Sequence, residues 1–197
     1  MYKKQMTLQR ITSYLLLASA ALVFVYSIGM LTDLYRSFHL FASWKETTNK
    51  FYFEGAKLYL EMHPFNRELT IASIILILSA VSLFVFRSHD RRKYYIANYI
   101  TIGLNAFINI GISVWALINV FTYKSIFVNQ TDFEGFKIAA EKYKFPYLSP
   151  DDTFWFDISA VVFAVVLLVT ALSIFNLFFK IYLMNAERKL LKEGKEA

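Results

Sequence analysis

The most constraining feature of the sequence is a polar stripe along the hydrophobic stretch 94–123. If this stretch is a helix, which turns by about 100° per residue, its polar and small residues fall within roughly 60° of one line. They are Asn98, Thr101, Asn105, Asn109, Ser113, Ala116 and Asn119. Lipid offers an amide side chain no hydrogen-bond partner, so this face must meet neighbouring helices or water. The stripe therefore predicts a bundle of membrane helices packed against it.

The composition agrees with a membrane protein. Of the 197 residues, 57% are hydrophobic and only 18% are charged, which is too apolar for a soluble domain of this size. The sequence has no cysteine, which excludes disulfides, thiolate metal sites and thiol nucleophiles. The net charge of +6 is attributed to membrane topology, because the excess basic residues flank hydrophobic segments. We therefore expect a lipid bilayer, and no nucleic acid, as a partner.

Four segments are long and apolar enough to cross a bilayer. The sequence predicts an all-α integral membrane protein with transmembrane helices at about 11–34, 69–86, 94–123 and 154–184. The first segment has an alternative interpretation as a signal peptide, since residues 18–20 have cleavage-site spacing. The apolar run continues past that site, so an uncleaved span is favoured.

Each of the two longer connections contains a predicted amphipathic helix. Apolar residues recur with helical spacing over about 49–63, and Pro64 is expected to end that helix. In the second connection, Thr131 and Glu134 fit a capping box that would start a helix over about 132–143. Both helices are expected to lie on the membrane surface or to cap the bundle.

The distribution of basic residues predicts the orientation. The amino terminus, the short turn 87–93 and the segment from Lys180 onward carry 12 of the 21 lysine and arginine residues but 4 of the 15 acidic ones. By the positive-inside tendency, both termini and this turn are cytoplasmic, and both longer connections face outward. We expect the protein to reside in the cell (plasma) membrane, with Lys180 reaching the membrane surface along its aliphatic stem.

The two outward connections share a motif, which indicates an internal duplication. Its members are Phe53, Glu54, Gly55, Lys57 and Glu61 in the first connection and Phe133, Glu134, Gly135, Lys137 and Glu141 in the second. The sequence therefore predicts two parallel helix–cap–helix repeats, 1–93 and 94–197, related by a pseudo-two-fold axis along the membrane normal. Convergent amphipathic caps are the alternative interpretation. The first span has no row of asparagines, so the polar stripe belongs to one repeat only.

The stripe is also the candidate functional site, either as helix contacts or as the lining of a pore. The candidates are Asn98, Thr101, Asn105, Asn109, Ser113 and Asn119. Polar bonds between membrane helices contribute roughly 0.6 kcal/mol each on average, so several together suffice to hold a bundle, and packing is favoured. On the fourth span, Ala160, Ala164 and Ala171 share one side and would permit close approach of another helix.

No pattern in the sequence indicates catalysis or metal binding. The three histidines are dispersed, and there is no HExxH pair, no glycine-rich phosphate loop and no Gly-x-Ser-x-Gly motif. We therefore expect no enzymatic activity, no cofactor and no metal. The favoured hypothesis is an accessory or scaffolding subunit of a larger membrane assembly, such as a transporter complex, bound to other integral membrane subunits or to itself. The alternatives are a small oligomeric channel or solute carrier that uses the stripe, and a membrane sensor with ligand-binding outward helices.

Overall fold

The computed structural model describes residues 2–42, 52–87, 96–142 and 153–196. Within these ranges the chain forms five α-helices and no strand. They are α1 (Tyr2–Ala42), α2 (Leu58–Arg87), α3 (Ile96–Gln130), α4 (Phe133–Lys142) and α5 (Phe154–Glu196). The all-α class is confirmed for this part of the chain.

Four helices are long and apolar enough to cross a membrane, as predicted. The candidate spans are Lys4–Leu31 in α1, Leu60–Val85 in α2, Ala97–Gln130 in α3 and Phe154–Leu190 in α5. All four helices extend beyond the predicted boundaries at one end or both. The residues that flank the spans include Lys, Gln, Glu and Arg, which favour helix, so the helices continue after the apolar run has ended.

The first connection differs from its prediction. Residues 52 and 53 are irregular and residues 54–57 form a turn instead of a helix, and Leu58 begins α2, which continues through Pro64. The prediction of a separate helix over 49–63 that ends at proline is therefore wrong, although residues 49–51 lie outside the described ranges. Gly55 has a φ of +90°, a conformation that side chains other than glycine rarely adopt and that interrupts a helix.

Helix α2 contains an internal proline, and a neighbouring helix bonds to its backbone close to that proline. Proline removes one backbone hydrogen bond from a helix, and in membrane helices adjacent side chains can bond to the backbone there. The hydroxyl of Tyr123 on α3 donates a hydrogen bond of 3.2 Å to the carbonyl oxygen of Glu61, three residues before Pro64. The sequence rule that proline ends a helix fails here, because Pro64 removes only the bond to the carbonyl of Leu60, four residues earlier, and α2 continues on its other backbone bonds.

Helix α4 lies where a short helix is predicted over about 132–143. Its first turn is capped by Asp132, whose Oδ1 accepts a 3.0 Å hydrogen bond from the backbone N–H of Gly135. The carbonyl of Asp132 accepts the first helical bond, from Phe136 N at 2.9 Å. Aspartate is a favoured residue at this position. The cap is thus one residue later than the predicted Thr131.

The chain divides into two compact units, each discontinuous in sequence. The first unit consists of Met1–Leu22, Ile74–Ser113 and Ala164–Ala197, and the second consists of Val23–Ser73 and Val114–Phe163. Each unit takes segments from both halves of the chain, whereas the predicted repeats are the sequential halves 1–93 and 94–197. The predicted duplication stays a prediction.

The two units have different cores. The core of the first unit is aliphatic and consists of Leu16, Ala80, Leu83, Ile102 and Val169, with Leu17 and Leu177 packed against it. The second unit is rich in aromatic contacts. Its ring pairs have centroids 5.0–6.1 Å apart and include Phe53 with Phe136, Phe127 with Phe156, Phe65 with Trp115, and Tyr26 with Phe163.

Two predicted features fall wholly or partly outside the described ranges. The basic turn 87–93 is described only at Arg87, which ends α2. Residues 143–152, at the end of the second connection, also lie outside the described part.

Candidate functional site

The polar stripe on α3 is mostly buried by protein. Asn98, Asn105, Asn109 and Ser113 are at most 4% exposed and belong to the first unit, as does the half-buried Thr101. Asn119 is half-buried and belongs to the second unit. A function for these residues beyond packing stays a prediction.

At its centre, the stripe binds α2. Asn105 Nδ2 donates a 2.8 Å hydrogen bond to Ser79 Oγ on α2, and Asn105 Oδ1 accepts one of 3.1 Å from Asn109 Nδ2. The two asparagines are one turn apart, so they reach each other along one face of the helix. This short chain of hydrogen bonds fixes α3 against α2 within the first unit.

At its amino-terminal end, the stripe joins a buried lysine. Lys180 on α5 is only 5% exposed, and its Nζ donates to Asn98 Oδ1 at 3.1 Å and to Gln9 Oε1 on α1 at 3.5 Å. Gln9 Nε2 in turn donates to Asn98 Oδ1 at 3.2 Å. The expectation that Lys180 reaches the membrane surface is wrong, because amide oxygens from two other helices hold its ammonium group inside the bundle.

A second pair of amides extends this cluster. Gln5 and Asn176 are at most 1% exposed, and Gln5 Nε2 donates to Asn176 Oδ1 at 3.1 Å and to Gln9 Oε1 at 3.3 Å. Two buried atoms of this pair, Gln5 Oε1 and Asn176 Nδ2, have no hydrogen-bond partner among the described residues. We refer to Gln5, Gln9, Asn98, Asn176 and Lys180 together as the lysine cluster.

Sequence reasoning missed most of the lysine cluster, although a signal for it exists. Gln5 and Gln9 are four residues apart, as are Asn176 and Lys180, and residues at this spacing share a helix face. Both pairs lie near the ends of apolar segments, where polar residues are ordinarily solvated. Only the packing of α1, α3 and α5 shows that these pairs point inward.

The remaining stripe residues are bonded locally or not at all. Thr101 Oγ1 donates to the carbonyl of Ala97, and Asn119 Nδ2 donates to that of Trp115, so both bond to their own helix. The hydroxyl of Ser113 is buried without a partner among the described residues. A recess beside Gln9, Asn98 and Thr101 is too narrow to admit a water molecule.

The shared motif of the two connections is brought together in the second unit. Phe53 packs on Phe136 with ring centroids 5.0 Å apart, and the backbone N–H of Asp132 donates a 3.0 Å hydrogen bond to the carbonyl of Glu54. Gly55 lies against Thr131, so close that an added Cβ would be 2.5 Å from its Oγ1. The two connections therefore hold each other in place.

The charged members of the motif take no part in this contact through their side chains. By contrast, Phe133, the aromatic member of the second motif, is half-buried, and its ring centroid lies 5.3 Å from that of Phe127. The ionisable side chains are exposed, namely Glu54, Lys57, Glu61, Glu134, Lys137 and Glu141. Across the described ranges, no three His, Asp or Glu side chains are grouped as a metal site would require.

Comparison with protein families, with curated proteins and with solved structures gives no match for this chain.

Proposed function

We propose that this chain is a non-enzymatic membrane protein that acts as an accessory or scaffolding subunit of a larger membrane assembly, such as a transporter complex. The proposal includes residence in the plasma membrane with both termini cytoplasmic, as the distribution of basic residues favours. Its partners would be other integral membrane subunits or further copies of the chain.

The observation that carries the proposal is the position of the small residues on the candidate spans. Ala160, Ala164 and Ala171 are exposed on α5, and nothing lies within 4 Å of where a Cβ of Gly103 or Gly111 on α3 would be. Small residues on a membrane helix allow another backbone to approach closely, which is how such helices associate. These surfaces therefore suit contact with helices that the chain itself does not provide.

The use of the polar groups supports the same proposal. Most of the described stripe residues bond to other helices or to their own backbone, as expected when polar side chains serve to hold a bundle together. Buried polar side chains whose hydrogen bonds hold helices together are typical of a structural subunit.

Purification in a gentle detergent with mass spectrometry of the companions tests the proposal. The double substitution Ala160→Leu with Ala164→Leu fills the small-residue surface, and Val161→Leu, at a side chain that is 63% exposed, is the matched control. We expect a stoichiometric companion to be lost from the double variant and kept by the control, with helical content unchanged in both. A stable lone monomer of the unsubstituted chain would contradict the proposal.

A small oligomeric channel is the second candidate. It is favoured by the row of buried polar side chains on α3 and by the hydroxyl of Ser113, which has no hydrogen-bond partner among the described residues. Flux of K⁺, Cl⁻ and glycerol through reconstituted vesicles tests it. A channel predicts flux that Asn105→Leu and Asn109→Leu abolish and that Val114→Leu, at a side chain 47% exposed on the same helix, leaves in place. Absence of flux for all three probes, with a companion retained, favours the accessory subunit.

A further inference from the structure

We infer that Arg10 and Tyr14 on α1 bind the phosphate group of an anionic phospholipid, in the leaflet at the amino-terminal end of α1. The two residues are one turn apart and share a face of the helix. Both are exposed, Tyr14 by 59%. Among the described residues, Arg10 has no ion-pair partner and the hydroxyl of Tyr14 has no hydrogen bond. Both groups are therefore available to a ligand.

The position of Arg10 along α1 coincides with the edge of the apolar surface. The exposed side chains described before it are Lys4 and Thr7, whereas the exposed side chains over 11–22 are apolar except for Tyr14. On a membrane helix this change marks the end of the hydrocarbon core and the start of the headgroup layer. Arg10 therefore lies at the level of the lipid phosphates.

The direction of the side chains suits the same level. Side chains of an α-helix lean towards its amino terminus, so the guanidinium of Arg10 and the hydroxyl of Tyr14 both extend towards the headgroups. A guanidinium group presents a planar set of donors that matches a phosphate group, and a tyrosine hydroxyl can donate one hydrogen bond more.

Helix α2 supports the site from one side. The ring of Tyr14 packs edge-on against that of Phe84, with centroids 5.0 Å apart, and this contact orients the tyrosine. Leu16 shares a core with Ala80, so α1 and α2 run antiparallel. Arg87, the last residue of α2, therefore lies at the amino-terminal end of α1 and adds a further positive charge there.

The charge of the first unit favours an anionic lipid over a zwitterionic one. The unit contains 12 of the basic residues and 4 of the acidic ones. Residues 2–22 of α1 include no acidic residue, so this part of the helix offers no partner to the ammonium group of a zwitterionic headgroup. Electrostatic attraction to anionic lipids is the usual result of such an excess of basic residues at a membrane surface.

The apolar surface beside the site favours a lipid over a free phosphate ion. Directly beyond Tyr14, α1 exposes Ala18 and Ala21, and α2 exposes Val81 by 41% and Val85 by 62%. An acyl chain attached to the bound phosphate would lie along these residues. A free phosphate ion would use only the polar half of this surface.

Competition binding on the full chain in detergent tests this inference. The probe is radiolabelled phosphatidylglycerol bound to the immobilised protein. The unlabelled competitors are phosphatidylglycerol, phosphatidylcholine with the same acyl chains, and inorganic phosphate. We expect phosphatidylglycerol to displace the probe at a concentration at least about tenfold lower than either of the others, because only this lipid combines a net negative charge with acyl chains.

Three variants locate the site. Arg10→Gln should weaken phosphatidylglycerol binding about tenfold, and Tyr14→Phe, which keeps the ring beside Phe84, about threefold. Lys4→Gln is the matched control, because it removes one positive charge from another exposed side of α1. It should change the affinity by less than about twofold, since attraction between separated exposed charges is screened. Circular dichroism verifies that the helical content of each variant is unchanged.

The inference is overturned if Arg10→Gln and Lys4→Gln weaken binding equally, since that result means attraction by net charge without a site. It is also overturned if phosphatidylcholine competes as well as phosphatidylglycerol, or if inorganic phosphate does, which would indicate a site for the free ion. Where Arg10→Gln does not fold, Tyr14→Phe decides, and an unchanged affinity in that variant overturns the inference.

Discussion

Asn105 on α3 donates a 2.8 Å hydrogen bond to Ser79 on α2, and this bond links the polar stripe to α2 in the first unit. The amides of the stripe need hydrogen-bond partners, and the hydroxyl of Ser79 provides one. Around it, asparagine bonds to asparagine along the same face.

We expect Asn105→Ala to lower the free energy of unfolding by about 1–2 kcal/mol, because it removes the interhelical bond and the acceptor used by Asn109. Asn119→Ala is the control, since Asn119 bonds only to its own helix, and should cost less than about 0.5 kcal/mol. Unfolding in mixed micelles, followed by circular dichroism, measures both. An equal loss of unfolding free energy in Asn105→Ala and Asn119→Ala would show that the bond to Ser79 does not stabilise the protein.

Gly55→Ala should be strongly destabilising. The φ of +90° disfavours any side chain, and a Cβ would come within 2.5 Å of Thr131 Oγ1. Strain of this kind costs on the order of 1–3 kcal/mol. Gly103→Ala is the matched control because nothing lies within 4 Å of its added Cβ, and it should be neutral or stabilising by up to about 1 kcal/mol. Thermal unfolding in detergent distinguishes the two, and a neutral Gly55→Ala would contradict the described turn.

Phe53→Ala should cost about 3–5 kcal/mol, because its ring is 1% exposed and packs on the fully buried Phe136. Ile138→Ala on α4, at a side chain that is 58% exposed, should change stability by less than about 0.5 kcal/mol. Limited proteolysis of the two connections offers a local readout. Should Phe53→Ala leave proteolysis and unfolding unchanged, the packing between the two connections is not what stabilises them.

Lys124 and Asp157 form an ion pair between α3 and α5 in the second unit, and Thr153 Oγ1 donates to the same carboxylate at 2.6 Å. Lys124→Met should lower stability by less than about 1 kcal/mol, because exposed pairs contribute little. Asp157→Asn should cost more, since it also removes a negative charge near the amino terminus of α5. High salt should reduce the difference between the variants. A larger loss of stability for Lys124→Met than for Asp157→Asn would contradict this prediction.

The number of spans could be predicted because length and apolar composition are local properties of the chain. The burial of the amides at 98, 105 and 109 is likewise what a 3.6-residue period and the absence of partners in lipid lead one to expect. Their bonding partners could not be predicted, since Ser79 and Lys180 are chosen by packing that the period of one helix does not describe.

Two local rules failed for identifiable physical reasons. Proline at 64 normally ends a helix, but it removes a single backbone bond, and α2 continues through it. Lysine at 180 normally extends towards the surface, but amide oxygens of Asn98 and Gln9 hold its ammonium group in the interior. In the second case, amides from two helices distant in sequence supply the hydrogen bonds that water would otherwise have to provide.

The bond between Asp132 and Glu54 has a consequence for biogenesis. Membrane helices are delivered to the bilayer in the order of synthesis, so the segment 52–57 waits until α2 and α3 have both emerged before its backbone partner exists. During that interval Phe53 also lacks its packing partner, Phe136. The contact between the two connections therefore forms only after the chain has been synthesised past Asp132 and Phe136.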